Sequence, residues 1–420
     1  MTAEVQTPLP DAPRRSSPAI GRAPALVQVQ RPSPTREVSF AVAKVSPQAR
    51  RRVSAVLSSG WLTTGTETLE FEREFASFVA APHAVAVSSC TAAIELSLRA
   101  LGLRRGAAVL TPTITFCGAV HAIVHAGLRP VFVDVDATTL VPRPDQVAAA
   151  GARHRPAAMV VQHMAGYPAP VQALAAAAGL PLSRIVEDAA HGLGSSVDGR
   201  QVGSISAATC FSFYATKNLP IGEGGAVTTA DPQIAAFVRR ARLHGMSKDA
   251  WARYLPGGSW EYGVETDGIK ANMSDIQAAI GRGQLVHVER WQRRRALLAA
   301  QYDHLIGGSA AIDLPPRPAT GTHAWHLYIV RLNTMAAPAR DVVIASLAQR
   351  GVGSSVHFIP AHRFGYFRRL LGEDECTTCP EADAVYPRLL SLPLHPALTR
   401  HDVAYVCERL LEACAQPLIA

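Results

Sequence analysis

No apolar run in this 420-residue chain approaches the ~20 residues that cross a bilayer, so no membrane-spanning helix is expected. The first residues lack the compact apolar block of a secretory signal. Arg14-Arg15 has no such block behind it, so an export signal of either kind is not expected. The seven cysteines are scattered and odd in number, which suits reduced thiols and a cytoplasmic location better than a disulfide framework. Cys376 and Cys379 form a lone CxxC in the loop-like "GEDECTTCPEAD". Without a second pair it reads as an exposed segment, and His357 and His362 nearby show no spacing that forces a metal site. Zinc-finger spacing, a basic zipper and dense Lys/Arg runs are all missing. The net charge of +8 therefore does not imply nucleic acid. Arginines spread along a chain are ordinarily solvated surface, and a modest positive field suits an anionic small substrate such as one carrying phosphates.

What is present is apolar bulk: 48% of residues are hydrophobic and 18% charged, enough for a large core. The length fits two domains. Residues 1–36, rich in Pro, Ala, Ser and Arg without periodicity, read as a disordered tail. A large domain is expected over 37–285, and a bridging helix with a smaller α/β domain over 286–420. From "HAVAVSS" (83–89) onward, short β-branched runs alternate with helical stretches: "CTAAIELSLRALGL", "AAVLT", "FCGAVHAIVHAG", "RPVFVDVD", "AAMVVQHMAG" and "SRIVEDAA". This alternation predicts a mostly parallel sheet with helices on its faces and a ligand at the carboxyl ends of its strands. One long helix is expected from about Ser274 to Ile306. "AWHLYIVRL", a helix near 338–350 and "VGSSVHFIP" build the smaller domain.

Chemistry-bearing residues gather at the predicted strand ends. Lys217 follows the aromatic run "FSFYAT" and precedes "GEGG". A strand-end lysine usually snorkels to solvent. The glycines, which let backbone approach a ligand closely, argue instead for a dry site that keeps the amine partly unprotonated and nucleophilic. Asp188 ends "IVED". It could cap a turn, or it could face a pyridine-type nitrogen and keep it protonated. Glu187 then points to the opposite face. His191, three residues on, could touch such a ring or simply pack. Ser89 and Thr91, at the start of a helix after a strand, offer hydroxyls and free amides to an anion, which Ser212 could also reach; plain N-capping is the alternative. Phe116 could stack on a flat ring or fill a core. An anion cradle, a ring-nitrogen acid, a stacking aromatic and a lysine are together what pyridoxal 5'-phosphate requires.

In these segments the chain resembles the DegT/DnrJ/EryC1/StrS family of sugar aminotransferases. The likeness runs from "WLTTG" (61–65) through "VSSCTAAIEL", "IVEDAAHGLGS", "CFSFYATKNLPIGEGGAVTT", "RLHG", "ANMSDIQAAIG" and "HAWHLYIVRL" to "SLPLHP" (391–396). The resemblance implies an α/β fold, the PLP-dependent transferase fold type I, and pyridoxal 5'-phosphate as cofactor. It makes Lys217 the Schiff-base lysine and Asp188 the partner of the pyridine nitrogen. His191 becomes a ring contact, Ser89, Cys90, Thr91 and Ser212 line the phosphate, and Phe116 stacks on the ring. Asn272 matches an asparagine that reaches the phosphate of a neighbouring subunit, implying a homodimer with shared sites. Cys90 stands where many relatives carry glycine. Gln162 replaces an apolar residue before His163, and Thr66 a frequent proline. The likeness is nearest to enzymes acting on UDP-linked 4-keto pentoses, with L-glutamate as amino donor. It assigns Thr64, His163, His244, Lys248 and His326 to the substrate pocket. Keto-cyclitol and 3-keto-sugar aminotransferases are the alternatives in the same chemistry. A deoxygenating dehydratase would carry histidine in place of Lys217. A pyridoxal-binding regulator would need a helix-turn-helix domain, for which the first 36 residues are too short and proline-rich.

Overall fold

The computed structural model describes residues 36–247, 261–372 and 379–415. The expected tail, apart from Arg36, lies outside the described residues, as do Lys248 and Cys376. Arg36 is held by an ion pair to Asp402 at 2.5 Å.

Seven strands form the main sheet: β1 (His83–Val87), β2 (Ala108–Pro112), β3 (Arg129–Val133), β4 (Ala158–Gln162), β5 (Ile185–Asp188), β8 (Ala208–Ser212) and β9 (Gly225–Thr229). The two-residue strands β6 (Ser196–Val197) and β7 (Arg200–Gln201) form a separate hairpin. The order across the sheet is β1-β9-β8-β5-β4-β2-β3. Only β9 runs against the others: it pairs antiparallel with both β1 and β8, and every other pairing is parallel. Strands β2, β4 and β9 are buried along their whole length, as expected of a sheet covered on both faces.

The helix Cys90–Ala100 lies on one face. Ser89 caps it by accepting a hydrogen bond from Ala92 N–H at 3.1 Å, and Gly102 at φ +62° follows its end. Ile94, Leu96 and Leu98 pack with Val160, Val186 and Cys210 of the sheet. On the other face Phe71, Phe75, Phe211 and Phe213 meet edge to face, with ring centroids 5.1–5.4 Å apart. A buried ion pair of Arg242 with Glu72 ties this face to β1, because Arg242 also donates to Ala86 O at 2.7 Å.

The expected long helix from Ser274 to Ile306 is two helices, Asp275–Leu285 and Val288–Ile306. Ser274 opens the first with a reciprocal capping box to Gln277. The second leads to a three-stranded antiparallel sheet of β10 (Ile312–Asp313), β11 (Tyr328–Leu332) and β12 (Leu389–Leu392). Helices Arg340–Gln349 and Arg400–Cys414 pack with it, and Tyr302 stacks on Tyr328 at 4.6 Å. "VGSSVHFIP" is not a strand. It runs irregularly toward the main sheet and makes single bridges from Val352 to Val38 and from Ser355 to Ser391. Cys379, read from sequence as exposed, is buried against the core beside Ala382 and Val385. No described helix is long and apolar enough to cross a membrane.

Candidate active site

The carboxyl ends of β4, β5 and β8 set Gln162, Asp188 and Cys210 in register on adjacent strands. Alternation sends neighbouring side chains to opposite faces of the sheet. Glu187 points away from the strand-end cavity. One carboxylate oxygen lies 2.8 Å from His163 Nε2; the other accepts from Ser206 Oγ at 2.7 Å and Thr209 Oγ1 at 3.1 Å. Burial alone would raise the Glu187 pKa, but these hydrogen bonds and His163 hold it below its usual value. Asp188 points into the cavity. Burial raises its pKa, opposed by the Ala190 N–H at 3.0 Å and by the charge of Lys217. The Cys90 thiol lies 3.7 Å from the same Asp188 oxygen and 3.4 Å from Cys210 O.

Lys217 sits in the loop between β8 and β9, which closes on itself through Phe213 N–H to Gly224 O and Ile221 N–H to Phe213 O, both 2.9 Å. Burial lowers its pKa to about 8, against the pull of Asp188 and Cys90. An appreciable fraction of this amine is therefore neutral near pH 7.5, unlike an ordinary lysine. The last glycine of "GEGG" has a physical reason. A Cβ on Gly225 would lie 2.5 Å from Ser89 C and 2.7 Å from Cys90 N, so only glycine lets β9 press against the start of the helix Cys90–Ala100.

A cavity of about 860 Å³ opens above these strand ends. Of the residues singled out in the sequence, Ser89, Cys90, Thr91, Phe116, Asp188, His191, Ser212, Lys217 and His326 line it. Phe116 is 57% exposed, an unusual position for a core phenylalanine, and its ring approaches Phe358 at 6.0 Å. His191 lies between His326 (4.4 Å) and Phe358 (5.9 Å, nearly parallel). Burial first, and then the positive charge of Lys217, push His191 and His326 well below the usual histidine pKa and His357 down to about 4. Three neutral imidazoles thus surround the amine.

Thr64, His163, His244 and Asn272 do not line this cavity. His163 was expected in the substrate pocket. It is fully buried on the far side of the sheet, where its Nδ1 accepts from Ala169 N–H at 3.1 Å and its Nε2 meets Glu187, because it follows Gln162 and alternates away from the cavity. His244 is exposed at φ +58°. Thr64 and Asn272 bond to each other at 2.8 Å, with Thr64 also donating to Met273 O at 2.6 Å. Lys248 lies outside the described residues. Tyr214, Asn218, Arg295 and Phe358, which were not singled out in the sequence, also line the cavity, as does His357, weighed there only for a metal. Asn218 adjoins Lys217, and "VGSSVHFIP" was read only as part of the smaller domain. Among the described residues no group of three or more His, Cys, Asp or Glu could hold a metal ion.

The DegT/DnrJ/EryC1/StrS aminotransferase family model matches residues 44–411. The spore coat polysaccharide biosynthesis protein SpsC of Bacillus subtilis is 41% identical over 371 residues, spanning 88% of this chain and 95% of that one. Among solved structures, Spr1654 of Streptococcus pneumoniae in its PLP-form superposes with a TM-score of 0.81 at 30% identity, covering 90% of this chain and 99% of that chain. The sugar aminotransferase CalS13 of Micromonospora echinospora superposes at 0.79 with 29% identity, covering 89% and 99%. The chain belongs to the DegT/DnrJ/EryC1/StrS aminotransferase family.

Proposed function

We propose that this aminotransferase moves an amino group from L-glutamate to a nucleotide-linked 4-keto sugar, of the UDP-4-keto-pentose kind, using pyridoxal 5'-phosphate. The residues present fit that cofactor. Ser89, Cys90 and Thr91 bring the amide-rich start of an eleven-residue helix to the cavity, and Ser212 joins them there. Gly225, where a Cβ would strike Ser89 and Cys90, lets β9 pack directly against that helix start and so fixes the amides that would hold a phosphate. Asp188 provides an acid for a ring nitrogen, and Phe116 an exposed aromatic face. When bound, the cofactor supplies an electron sink for breaking the C–H bond at the amino-bearing carbon.

The chain's own residues do the rest. Asp188, with the charge of Lys217 opposing the effect of burial, would hold a proton on the ring nitrogen. Nζ of Lys217, neutral in part at working pH, would take the proton from Cα of the amino donor and hold it for return. His191, His326 and His357 stay uncharged around Lys217. The observation that carries this reading is a lysine with its pKa lowered to about 8 in the same cavity as a buried aspartate.

Thr64 and Asn272 bond to each other rather than to this cavity. That arrangement supports a homodimer in which they serve the second copy's site. For the sugar itself, incubation with L-glutamate and a panel of UDP- and dTDP-linked 4-keto sugars, read by mass, should give an amine from a UDP-pentose. Amine formation from scyllo-inosose alone would replace this substrate with a cyclitol.

A further inference from the structure

Asn218 directly follows Lys217, and its amide has only one possible orientation. Nδ2 faces Ala324 O at 3.0 Å, Leu193 O at 3.3 Å and Gln292 Oε1 at 3.4 Å. Carbonyl oxygens cannot donate, so this end is the NH2 group. Oδ1 is thereby turned toward His326 Nδ1 at 3.2 Å. An amide oxygen only accepts, so the proton of this hydrogen bond sits on His326 Nδ1. The ring is 5% exposed, and burial, Lys217, His191 and Arg295 all disfavour its charged form. A neutral imidazole with hydrogen on Nδ1 carries a bare lone pair on Nε2. Among the described residues that nitrogen has no hydrogen-bond partner, and His326 lines the cavity.

The turn that delivers His326 is held at some cost. Trp325 adopts φ +47°, a conformation that bulky residues rarely take. Arg295, 4% exposed and without a carboxylate within 4.0 Å among the described residues, donates from one nitrogen to Trp325 O (3.2 Å), His326 O (3.2 Å) and Leu394 O (2.6 Å). Its cation therefore clamps backbone carbonyls on both sides of the histidine. Arg295 and Asn218 are positioning residues: one fixes the turn and the other the proton.

His191 has the opposite polarity. Its Nδ1 accepts from Ala165 N–H at 3.2 Å, which leaves the hydrogen on Nε2. Two rings 4.4 Å apart thus present one donor and one acceptor.

We infer that His326 is fixed as its Nδ1–H tautomer and that its Nε2 accepts a hydrogen bond from a sugar hydroxyl next to the reacting ketone, making it a specificity-determining residue. The tautomer follows from the geometry; the identity of the ligand rests on the sugar reading above. Such a site favours a hydroxyl over fluorine or an ether, which cannot donate, because an unmatched substrate leaves the buried acceptor unpaired.

Two measurements on the holoenzyme test this. In protein labelled with 15N-histidine, two-bond correlations should give His326 a pyrrole-like Nδ1 and a pyridine-like Nε2, with the signal identified by its loss in H326N. Asn218→Leu should release the ring to the Nε2–H form. A wild-type ring already protonated on Nε2 overturns the inference. In the second measurement, the 4-keto sugar turned over in the panel is compared with its analogue carrying fluorine for the hydroxyl beside the ketone. The loss in kcat/KM should be at least tenfold greater in the wild type than in H326N. Equal losses would overturn the hydroxyl assignment. So would a fall in the glutamate half-reaction of H326N as large as in the sugar half-reaction, which would transfer the contact to the donor's ammonium. If no sugar is turned over, the functional reading fails while the nitrogen spectrum still decides the tautomer.

Discussion

Lys217→Met should abolish turnover and yet stabilise the cofactor-free protein. Folding lowers the Lys217 pKa from 10.5 to about 8. At 1.36 kcal/mol per pKa unit, keeping that amine protonated in the fold costs about 3 kcal/mol. Lys217 is half-buried and borders an open cavity, so water there reduces the figure to about 2 kcal/mol. The sign follows from proton counting. Between pH 8 and 10.5 the unfolded chain binds the proton and the folded chain does not, so stability rises with pH in that window. Below pH 8 the penalty is present in full, and above 10.5 it is gone. Methionine keeps the apolar stem without the charge. Asp188 loses its neighbouring cation, and burial already disfavours its charged form. With an unfolding entropy of about 2.1 cal/mol/K per residue, the variant should melt roughly 2 °C higher at pH 7.5. Calorimetry of both cofactor-free proteins at pH 7.5 and 10.5 checks this. A lower melting temperature for the variant at pH 7.5, or a difference that does not shrink by pH 10.5, would refute the desolvated-amine argument. Turnover retained by the variant would refute the role of Lys217.

Gly225→Ala should weaken cofactor binding tenfold or more and cost about 1–3 kcal/mol of stability, because the added methyl group meets the Ser89 and Cys90 backbone; absorbance titration with the cofactor and thermal melts measure the two effects. His163→Leu should cost about 2–3 kcal/mol by removing a hydrogen bond from the buried Glu187 carboxylate. Glu187's folded pKa lies below its unfolded value, so its contribution is present above about 4.5 and is lost as pH falls through the folded pKa. The variant should therefore unfold in acid at a higher pH than the wild type, read by circular dichroism.

The fold was legible where its cause is local. Periods of two and of 3.6 residues mark β1 to β5 and their helices, and Ser89 and Ser274 announce the helix starts they cap. Strand order was not legible, because β1 finds its place beside β9 through contacts more than a hundred residues apart in the chain. Nor was the reversal of β9. The β8–β9 connection contains no helix, and in place of a crossover it folds back on itself and carries Lys217. The break after Leu285 was hidden because apolar residues continue through it.

In the site, type and spacing were enough for the residues that act at strand and helix ends, but not for those whose task is to hold others. The alternation that separated Glu187 from Asp188 applies equally to Gln162 and His163. Followed one strand further, it puts Gln162 on the cavity and His163 behind the sheet, where its role is to hold Glu187. Arg295 shows the harder case. In "WQRRRALL" it is one arginine among three, and helical periodicity turns it inward. What it holds — the carbonyls of Trp325, His326 and Leu394 — comes from two segments that meet only in the folded chain. A buried cation with no acid in the pattern to pair it points to backbone as its partner, since leaving it unsatisfied would be too costly. Which backbone it holds is a property of the tertiary fold alone, and through it the fold fixes the turn that carries His326.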